Sequence, residues 1–155
     1  MRIALGSDLR CELTDALEQR LRGRGDDLVF FGALDPSAQA DWPSVGRGVG
    51  EAVARGACAS GIVCCWTGTG VSIAANKVRG ARAALCGDAE TARGARVWND
   101  ANVLALSIRS ITPALADDIL AAWFSAAPAE DGKDKHAIAT LKSWDEQLSE
   151  KPRRS

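Results

Sequence analysis

Two patterns of apolar residues alternate along the chain. Short, continuous apolar runs are typical of buried strands, and each is followed by a stretch in which apolar residues recur every three to four positions, as in helices. The predicted strands cover residues 2–7, 28–32, 61–65, 81–86 and 103–106. The predicted helices cover residues 12–21, 43–57, 71–77, 89–98, 113–125 and 135–148.

This alternation predicts the fold class. Continuous apolar strands that alternate with helices are typical of a parallel sheet covered by helices on both faces. The sequence therefore predicts an α/β fold with a five-stranded parallel sheet and an additional C-terminal helix. With 155 residues in all, residues 1–150 are expected to form a single domain, and the basic residues 151–155 are expected to fray.

Polar and chemically reactive residues follow the predicted strand ends. In open α/β sheets, ligands bind beyond the carboxyl ends of the strands, where the strand order switches. The candidates that follow strands in this way are Asp8, Trp42, Cys65, Thr67, Gly68, Thr69, Gly70, Val71, Ser72, Gly87, Asp88, Ser107 and Arg109.

The third predicted strand enters a glycine-rich turn, Thr67-Gly-Thr-Gly70, that opens directly into a helix. Its two hydroxyls and the free amides at the helix start suit a small anionic or polyhydroxylated ligand. The helix start would also lower the pKa of the Cys65 thiol, as nucleophilic or basic chemistry requires. The alternative is that Cys65 simply packs at the end of a buried strand.

Other candidates also have two interpretations. Asp8 could bind sugar hydroxyls or cap the next helix, and Arg109 could bind a phosphate or remain a solvated charge. Trp42 and Trp66 offer aromatic faces to a sugar ring, although wide side chains also simply pack. His136, the only histidine, is expected on the surface of the last helix.

Composition excludes several classes of function. A net charge of −1 gives no electrostatic case for binding nucleic acid or an anionic membrane. No apolar run approaches the roughly 20 residues of a membrane helix, and no signal-peptide pattern is present. The 5 cysteines are odd in number and lack metal-ligand spacing. We therefore expect a reduced, cytoplasmic protein without a metal or other cofactor.

Five segments carry a family resemblance, in the family's order. They are Ile3-Ala-Leu-Gly-Ser-Asp8, Asp41-Trp-Pro43, Cys65-Trp-Thr-Gly-Thr-Gly-Val-Ser-Ile-Ala-Ala-Asn-Lys77, Arg79-Gly-Ala-Arg-Ala83 and Asn99-Asp-Ala-Asn-Val-Leu-Ala105. Together they resemble ribose-5-phosphate isomerase type B and its relatives, including galactose-6-phosphate isomerase. The resemblance extends from Arg2 to about Phe124.

The resemblance implies a three-layer α/β/α, Rossmann-like fold and a homodimer, or a tetramer, with sites between subunits. It also implies metal-free aldose–ketose isomerisation of a sugar phosphate or related small polyol, in which Cys65 moves a proton between C1 and C2 through an enediolate. Thr67 would serve the hydroxyl protons. The implied amides that stabilise the enediolate belong to Gly68, Thr69, Gly70, Val71 and Ser72, and the implied substrate ligands are Asp8, Trp42, Asn99, Arg109 and Lys135.

The chain also departs from the family pattern. Leu9 and Trp98 stand where the family has histidines, and the second of these histidines opens the sugar ring. Trp66 replaces a glycine, and Ala139 falls near a phosphate-binding arginine. A substrate that is already open-chain, or differently charged, would not need the missing histidine.

Two other classes of function are considered. One is a non-catalytic sugar- or metabolite-binding homologue, suggested by these same departures. The other is a nucleotide-binding module, which the sequence disfavours because Asp26 and Asp27 precede the second predicted strand instead of following it.

Overall fold

The computed structural model describes residues 1–150, with side chains through residue 147, so the predicted tail at 151–155 lies outside the described residues. The strands are β1 (Arg2–Ser7), β2 (Asp27–Gly32), β3 (Ser60–Cys65), β4 (Ala83–Leu85) and β5 (Val103–Ser107). The helices are α1 (Glu12–Gly23), α2 (Trp42–Ala54), α3 (Thr69–Asn76), α4 (Ala89–Asn99), α5 (Pro113–Ser125) and α6 (Gly132–Glu150). All strand pairs are parallel, in the order β2-β1-β3-β5-β4. The predicted α/β/α fold is confirmed.

The helices form a layer on each face of the sheet because strand side chains alternate between faces. On one face, Ile62 and Leu104 pack with residues of α1, α4 and α5. On the other face, Val63 and Val103 pack with residues of α2 and α3. Both cores are closed by fully buried aliphatic side chains, which accounts for the continuous apolar runs of β1, β3 and β5.

Helices α2 and α3 approach each other closely because α2 carries glycines at the contact. A Cβ atom at Gly46 would lie 2.6 Å from the carbonyl oxygen of Val71. No side chain is compatible with that distance, so Gly46 fixes how near α3 lies to α2. This contact places the start of α3 over the carboxyl end of β3.

Some predicted boundaries are wrong. Strand β4 covers three residues, Ala83–Leu85, instead of 81–86, because it is an edge strand paired only with β5 among the described strands. Helix α2 ends at Ala54 instead of residue 57, since Gly56 turns the chain at a φ of +73°. Helices α4 and α5 each begin with a cap, since the side chains of Asp88 and Thr112 accept a backbone hydrogen bond at the start of the respective helix.

Candidate active site

Asp8 and Cys65 lie at the switch point of the sheet. The chain leaves β1 for β2 on one side and β3 lies on the other, so the carboxyl ends of β1 and β3 border a cleft. The backbone N–H of Asp8 donates to the carbonyl oxygen of Cys64 at 3.4 Å. Cys65 belongs to the core beneath α2 and α3 and is only 5% exposed. The structure therefore brings together two of the residues that the sequence singled out.

The turn after β3 is held in place by the end of β5. The carbonyl oxygen of Cys65 accepts hydrogen bonds from the N–H of Gly68 at 3.2 Å and of Ile108 at 3.0 Å. The carbonyl oxygen of Trp66 accepts from the Ser107 hydroxyl at 3.0 Å and from the N–H of Arg109 at 3.1 Å. This second attachment involves the Ser107 hydroxyl, for which the sequence indicated no role.

Gly68 is required at the tip of this turn. It caps the N-terminus of α3 with a φ of +74°, and a Cβ atom there would lie 2.9 Å from the backbone of Leu106. Both the left-handed conformation and the close backbone contact exclude other residues. The predicted glycine turn therefore has a physical basis in its contact with β5.

Hydroxyls and amides converge at the start of α3. The Thr67 and Thr69 hydroxyl oxygens lie 2.7 Å apart and share a hydrogen bond. The first N–H groups of a helix have no acceptor within it, so those at Thr69, Gly70 and Val71 point outward, next to the partial positive charge of the helix end. Such a surface can stabilise an oxygen that gains negative charge.

Burial changes the ionisation of groups near the switch point. It raises the pKa of the Asp8 carboxyl above its ordinary value of 3.8, because the charged form is partly removed from water. It also raises the pKa of the fully buried Cys64 thiol, on the opposite face of β3 from Cys65. Cys64 therefore stays a neutral core side chain.

Two further predicted ligands flank the turn. The Trp42 ring lies against Gly70, where a Cβ atom would be 3.0 Å from the ring. Arg109 lies on the other flank, in a cavity of about 320 Å³ whose lining comprises Thr67, Leu85, Cys86, Gly87, Ser107, Arg109 and Ser110. Leu85, Cys86 and Ser110 were not identified from the sequence as candidates for this site. The apolar pattern alone gives no sign that they border a ligand cavity.

Asn99 does not join this group within one chain. It ends α4, before β5 begins at Val103, whereas Cys65 pairs with Ser107 at the other end of β5. The four residue-to-residue steps from Val103 to Ser107 span about 13 Å. Asn99 instead lines a cavity of about 550 Å³ at the amino ends of the strands, together with Lys77 and Arg82.

Lys135 also lies away from Cys65 within the same chain. It is an exposed residue of α6. The chain enters α6 next to α4, since the N–H of Ala129 donates to the carbonyl oxygen of Val97 at 2.9 Å. Farther along α6, Lys142 contacts Asp100. Helix α6 therefore packs beside the end of α4 that carries Asn99.

Asp100 organises this second region, and sequence reasoning missed it. Its carboxylate is 3.0 Å from Arg82, 3.8 Å from Arg96 and 2.6 Å from Lys142, and its side chain is only 13% exposed. Within residues 1–150, it is the one non-glycine residue with a positive φ, +47°. Its cations come from Arg82, which directly precedes β4, and from α4 and α6, so no local sequence signal could have revealed the whole cluster.

Two negative observations apply to the described part of the chain. No group of three or more histidine, cysteine, aspartate or glutamate residues there could hold a metal ion. None of its helices is long and apolar enough to cross a membrane.

Comparisons with known proteins agree on one family. D-erythrulose-4-phosphate isomerase of Pectobacterium atrosepticum is 38% identical, over 80% of this chain and 82% of its own. Ribose-5-phosphate isomerase B of Escherichia coli is 36% identical, over 90% and 93%. The solved structure of Clostridium thermocellum ribose-5-phosphate isomerase B superimposes with a TM-score of 0.85 at 38% identity, covering 96% of this chain and 99% of that one.

The family model described as ribose/galactose isomerase matches residues 3–141, which include both Cys65 and Asn99. Its match, the relatives named as sugar-phosphate isomerases and the shared fold lead to the same conclusion. The chain belongs to the ribose/galactose isomerase family.

Proposed function

We propose that this protein is an aldose–ketose isomerase of a sugar phosphate or a related small polyol, with Cys65 as the base. The relatives reported above act, by their names, on four-carbon and five-carbon sugar phosphates. The observation that carries the proposal is the position of Cys65 at the switch point, directly before the amide-rich start of α3.

The proposed reaction moves one proton between adjacent carbons. The Cys65 thiolate takes the proton from C2 of the aldose, and the electron pair of that bond forms the C1–C2 double bond of an enediolate. The amides of Thr69, Gly70 and Val71 stabilise the oxygen that becomes negative, whereas the N–H groups of Gly68 and Ser72, which the sequence had also assigned to this role, already donate to the carbonyl oxygens of Cys65 and Gly68. The hydroxyl proton passes from O2 to O1 by way of Thr67, and the thiol then returns its proton to C1. No redox partner is consumed.

The remaining residues would hold the substrate. Asp8 would accept hydrogen bonds from sugar hydroxyls, Arg109 would bind the phosphate, and the Trp42 ring would cover the carbon chain. Asn99 and Lys135 lie at the opposite edge of the sheet, so they can reach the substrate only from a second copy. We therefore propose a homodimer in which each site is shared between subunits.

Isotope exchange in deuterated water tests the proposal. Proton NMR would follow deuterium entry at C1 or C2 of sugar phosphates, with Cys65→Ala as the test variant and Cys58→Ala, a second buried thiol, as the matched control. We expect Cys65→Ala to lower exchange about 1,000-fold, as for the loss of a general base, while Cys58→Ala retains it. Undiminished exchange in Cys65→Ala would contradict the assignment of the base.

A non-catalytic binding protein is the second candidate. It is favoured by the exposed side chains of Trp66 and Trp98, which could cover a ligand without taking part in proton transfer. A binder would raise its own melting temperature with sugar phosphates yet would never wash deuterium into them. The same NMR experiment therefore distinguishes the two candidates.

A further inference from the structure

The hydroxyl of Thr69 has an unusual partner for a threonine at the start of a helix. Thr69 is the first residue of α3, directly after the glycine that caps this helix. Its hydroxyl oxygen lies 2.7 Å from that of Thr67 and shares a hydrogen bond with it. The other threonine hydroxyls bond to the main chain or to a capping carboxylate at their own helix, and they belong to Thr14, Thr91, Thr112 and Thr140. The Thr69 hydroxyl therefore orients another hydroxyl instead of stabilising its helix.

The main chain fixes the two hydroxyl-bearing residues relative to each other. The peptide group before Thr67 is held through its carbonyl oxygen, which accepts two hydrogen bonds from the chain at the end of β5. The peptide group after Thr67 is held through the N–H of Gly68, which donates to the carbonyl oxygen of Cys65. Because Gly68 also caps α3, the position of Thr69 is set by the helix. The contact between the two threonines is thus a consequence of the folded turn.

Of the two threonines, Thr67 borders the space available to a substrate. It lines the cavity of about 320 Å³ that also contains Arg109, the proposed phosphate ligand, whereas Thr69 is not part of that lining. The Thr69 hydroxyl is therefore placed to act on Thr67.

A hydroxyl that relays a proton must accept one hydrogen bond and donate another at the same time. A threonine hydroxyl has one proton and two lone pairs, and it rotates to suit its neighbours. When Thr69 donates to Thr67, one lone pair of Thr67 is occupied, the other can accept the O2 hydroxyl of the sugar, and the Thr67 proton is left for O1. Without that donor, the Thr67 hydroxyl can turn its proton towards water, since both threonines are exposed.

We propose that Thr69 is a positioning residue for the isomerisation, because its hydroxyl donates to Thr67 and directs the Thr67 proton at the substrate. As the aldose is converted, Thr67 gives its proton to O1 and takes the proton of O2, while Thr69 keeps its own. The number of protons on the protein is unchanged, and no further reactant is needed. This inference rests on the proposed function, in which Cys65 moves the carbon-bound proton and Thr67 the hydroxyl proton.

The two proton movements can be measured separately. Deuterium enters at C2 of the unconverted aldose when the enediolate forms and is reprotonated at the same carbon, which requires the Cys65 thiol but no transfer between oxygens. Net conversion to the ketose also requires the transfer from O2 to O1. A weakened relay therefore slows conversion more than exchange. A displaced turn slows both together, because the amides that stabilise the enediolate move as well.

Proton NMR in deuterated water gives both rates. The wild type is tested on erythrose 4-phosphate, ribose 5-phosphate and galactose 6-phosphate, and the aldose that reacts fastest is used for the variants. We expect Thr69→Val to lower kcat for conversion about 10-fold, against about 100-fold for Thr67→Val, which removes the relay itself. Exchange at C2 and KM should stay within about 2-fold of wild type in Thr69→Val, because valine keeps the shape of the side chain and the backbone amide. Thr69→Ser, which retains the hydroxyl, should restore conversion.

Two further variants show how Thr69 acts. In the double variant Thr67→Val/Thr69→Val, conversion should equal that of Thr67→Val alone, because no Thr67 hydroxyl is left to direct. Thr140→Val is the matched control, since the Thr140 hydroxyl is exposed and bonds to the His136 carbonyl oxygen of its own helix. It should change neither rate. Melting temperatures of all variants show whether the fold is retained.

The outcomes are distinguishable. Equal losses of conversion and exchange in Thr69→Val, or a further loss in the double variant, would overturn this inference and leave the isomerase proposal intact, provided that Cys65→Ala abolishes the exchange. A loss in Thr69→Val as large as that in Thr67→Val would also overturn it, because Thr69 would then carry the proton itself. Absence of Cys65-dependent exchange on all three sugar phosphates would refute the proposed function itself.

Discussion

The carboxyl ends of the strands (the carboxyl edge of the sheet) and their amino ends (the amino edge) are stabilised by different interactions. At the carboxyl edge, the turn between Cys65 and Thr69 is held mainly by backbone hydrogen bonds to the end of β5 and by a glycine that no other residue can replace. At the amino edge, the turn after Asn99 is held by side-chain charges that converge on Asp100. The first edge carries the proposed chemistry, and the second carries Asn99, which we propose as a ligand for the site of a second copy.

The difference predicts how each region responds to mutation. Backbone geometry at the carboxyl edge depends on single positions, so one added methyl group can displace the turn that follows Cys65. The ionic cluster at the amino edge has three cations around one carboxylate, so losing one cation should matter much less than losing the carboxylate.

Gly68→Ala should disable the carboxyl edge. The alanine would have to adopt a φ near +74°, which disfavours any residue with a Cβ atom. Its Cβ atom would also lie 2.9 Å from the backbone of Leu106. We expect a loss of about 3 kcal/mol in the free energy of unfolding and at least about a 100-fold loss in kcat, because the α3 amides move away from the substrate. Urea denaturation and isotope exchange measure the two effects.

Gly87→Ala is the matched control for this prediction. Gly87 lines the neighbouring cavity, but no atom lies within 4 Å of where its Cβ would be. Its substitution should leave stability within about 0.5 kcal/mol of wild type. Equal losses in the two variants would show that the turn is not specifically constrained by β5.

Asp100→Ala should destabilise the amino edge by about 2 kcal/mol, because Arg82 and Arg96, both largely buried, lose their counter-charge. Asp100→Asn should lose about half as much, since asparagine tolerates the positive φ but lacks the charge. Urea denaturation measures both. We also expect KM to rise more than kcat falls, as Asn99 would be displaced from a shared site without affecting the base.

Lys142→Ala provides the internal comparison for Asp100. Its side chain is 51% exposed although its nitrogen is 2.6 Å from the Asp100 carboxylate. An exposed cation of this kind contributes about 0.5 kcal/mol. If Lys142→Ala were as destabilising as Asp100→Ala, the cluster would depend on one ion pair and not on the shared carboxylate.

The same contrast explains what could be predicted from the sequence. The strands and the turn from Thr67 to Gly70 were predictable because apolar runs and glycines report local backbone requirements. The Asp100 cluster was not, since Arg82, Arg96 and Lys142 meet only after three separate elements have packed. Ser107 was placed at a strand end, yet its bond to the Trp66 carbonyl depends on the β3–β5 register, which the sequence does not reveal.

Asp8→Asn should have the smallest effect on stability, with a characteristic pH dependence. Burial raises the pKa of the Asp8 carboxyl in the folded state above its unfolded value of 3.8. The folded state therefore favours the protonated form, and the ionised carboxylate makes wild type less stable as pH rises through this window. Asparagine has no such penalty, so the stability of Asp8→Asn relative to wild type should increase between pH 4 and pH 7 and then level off. Urea denaturation across that range measures the difference. A difference that narrowed with rising pH would mean that a positively charged partner at the switch point stabilises the carboxylate and that burial does not determine the pKa of Asp8.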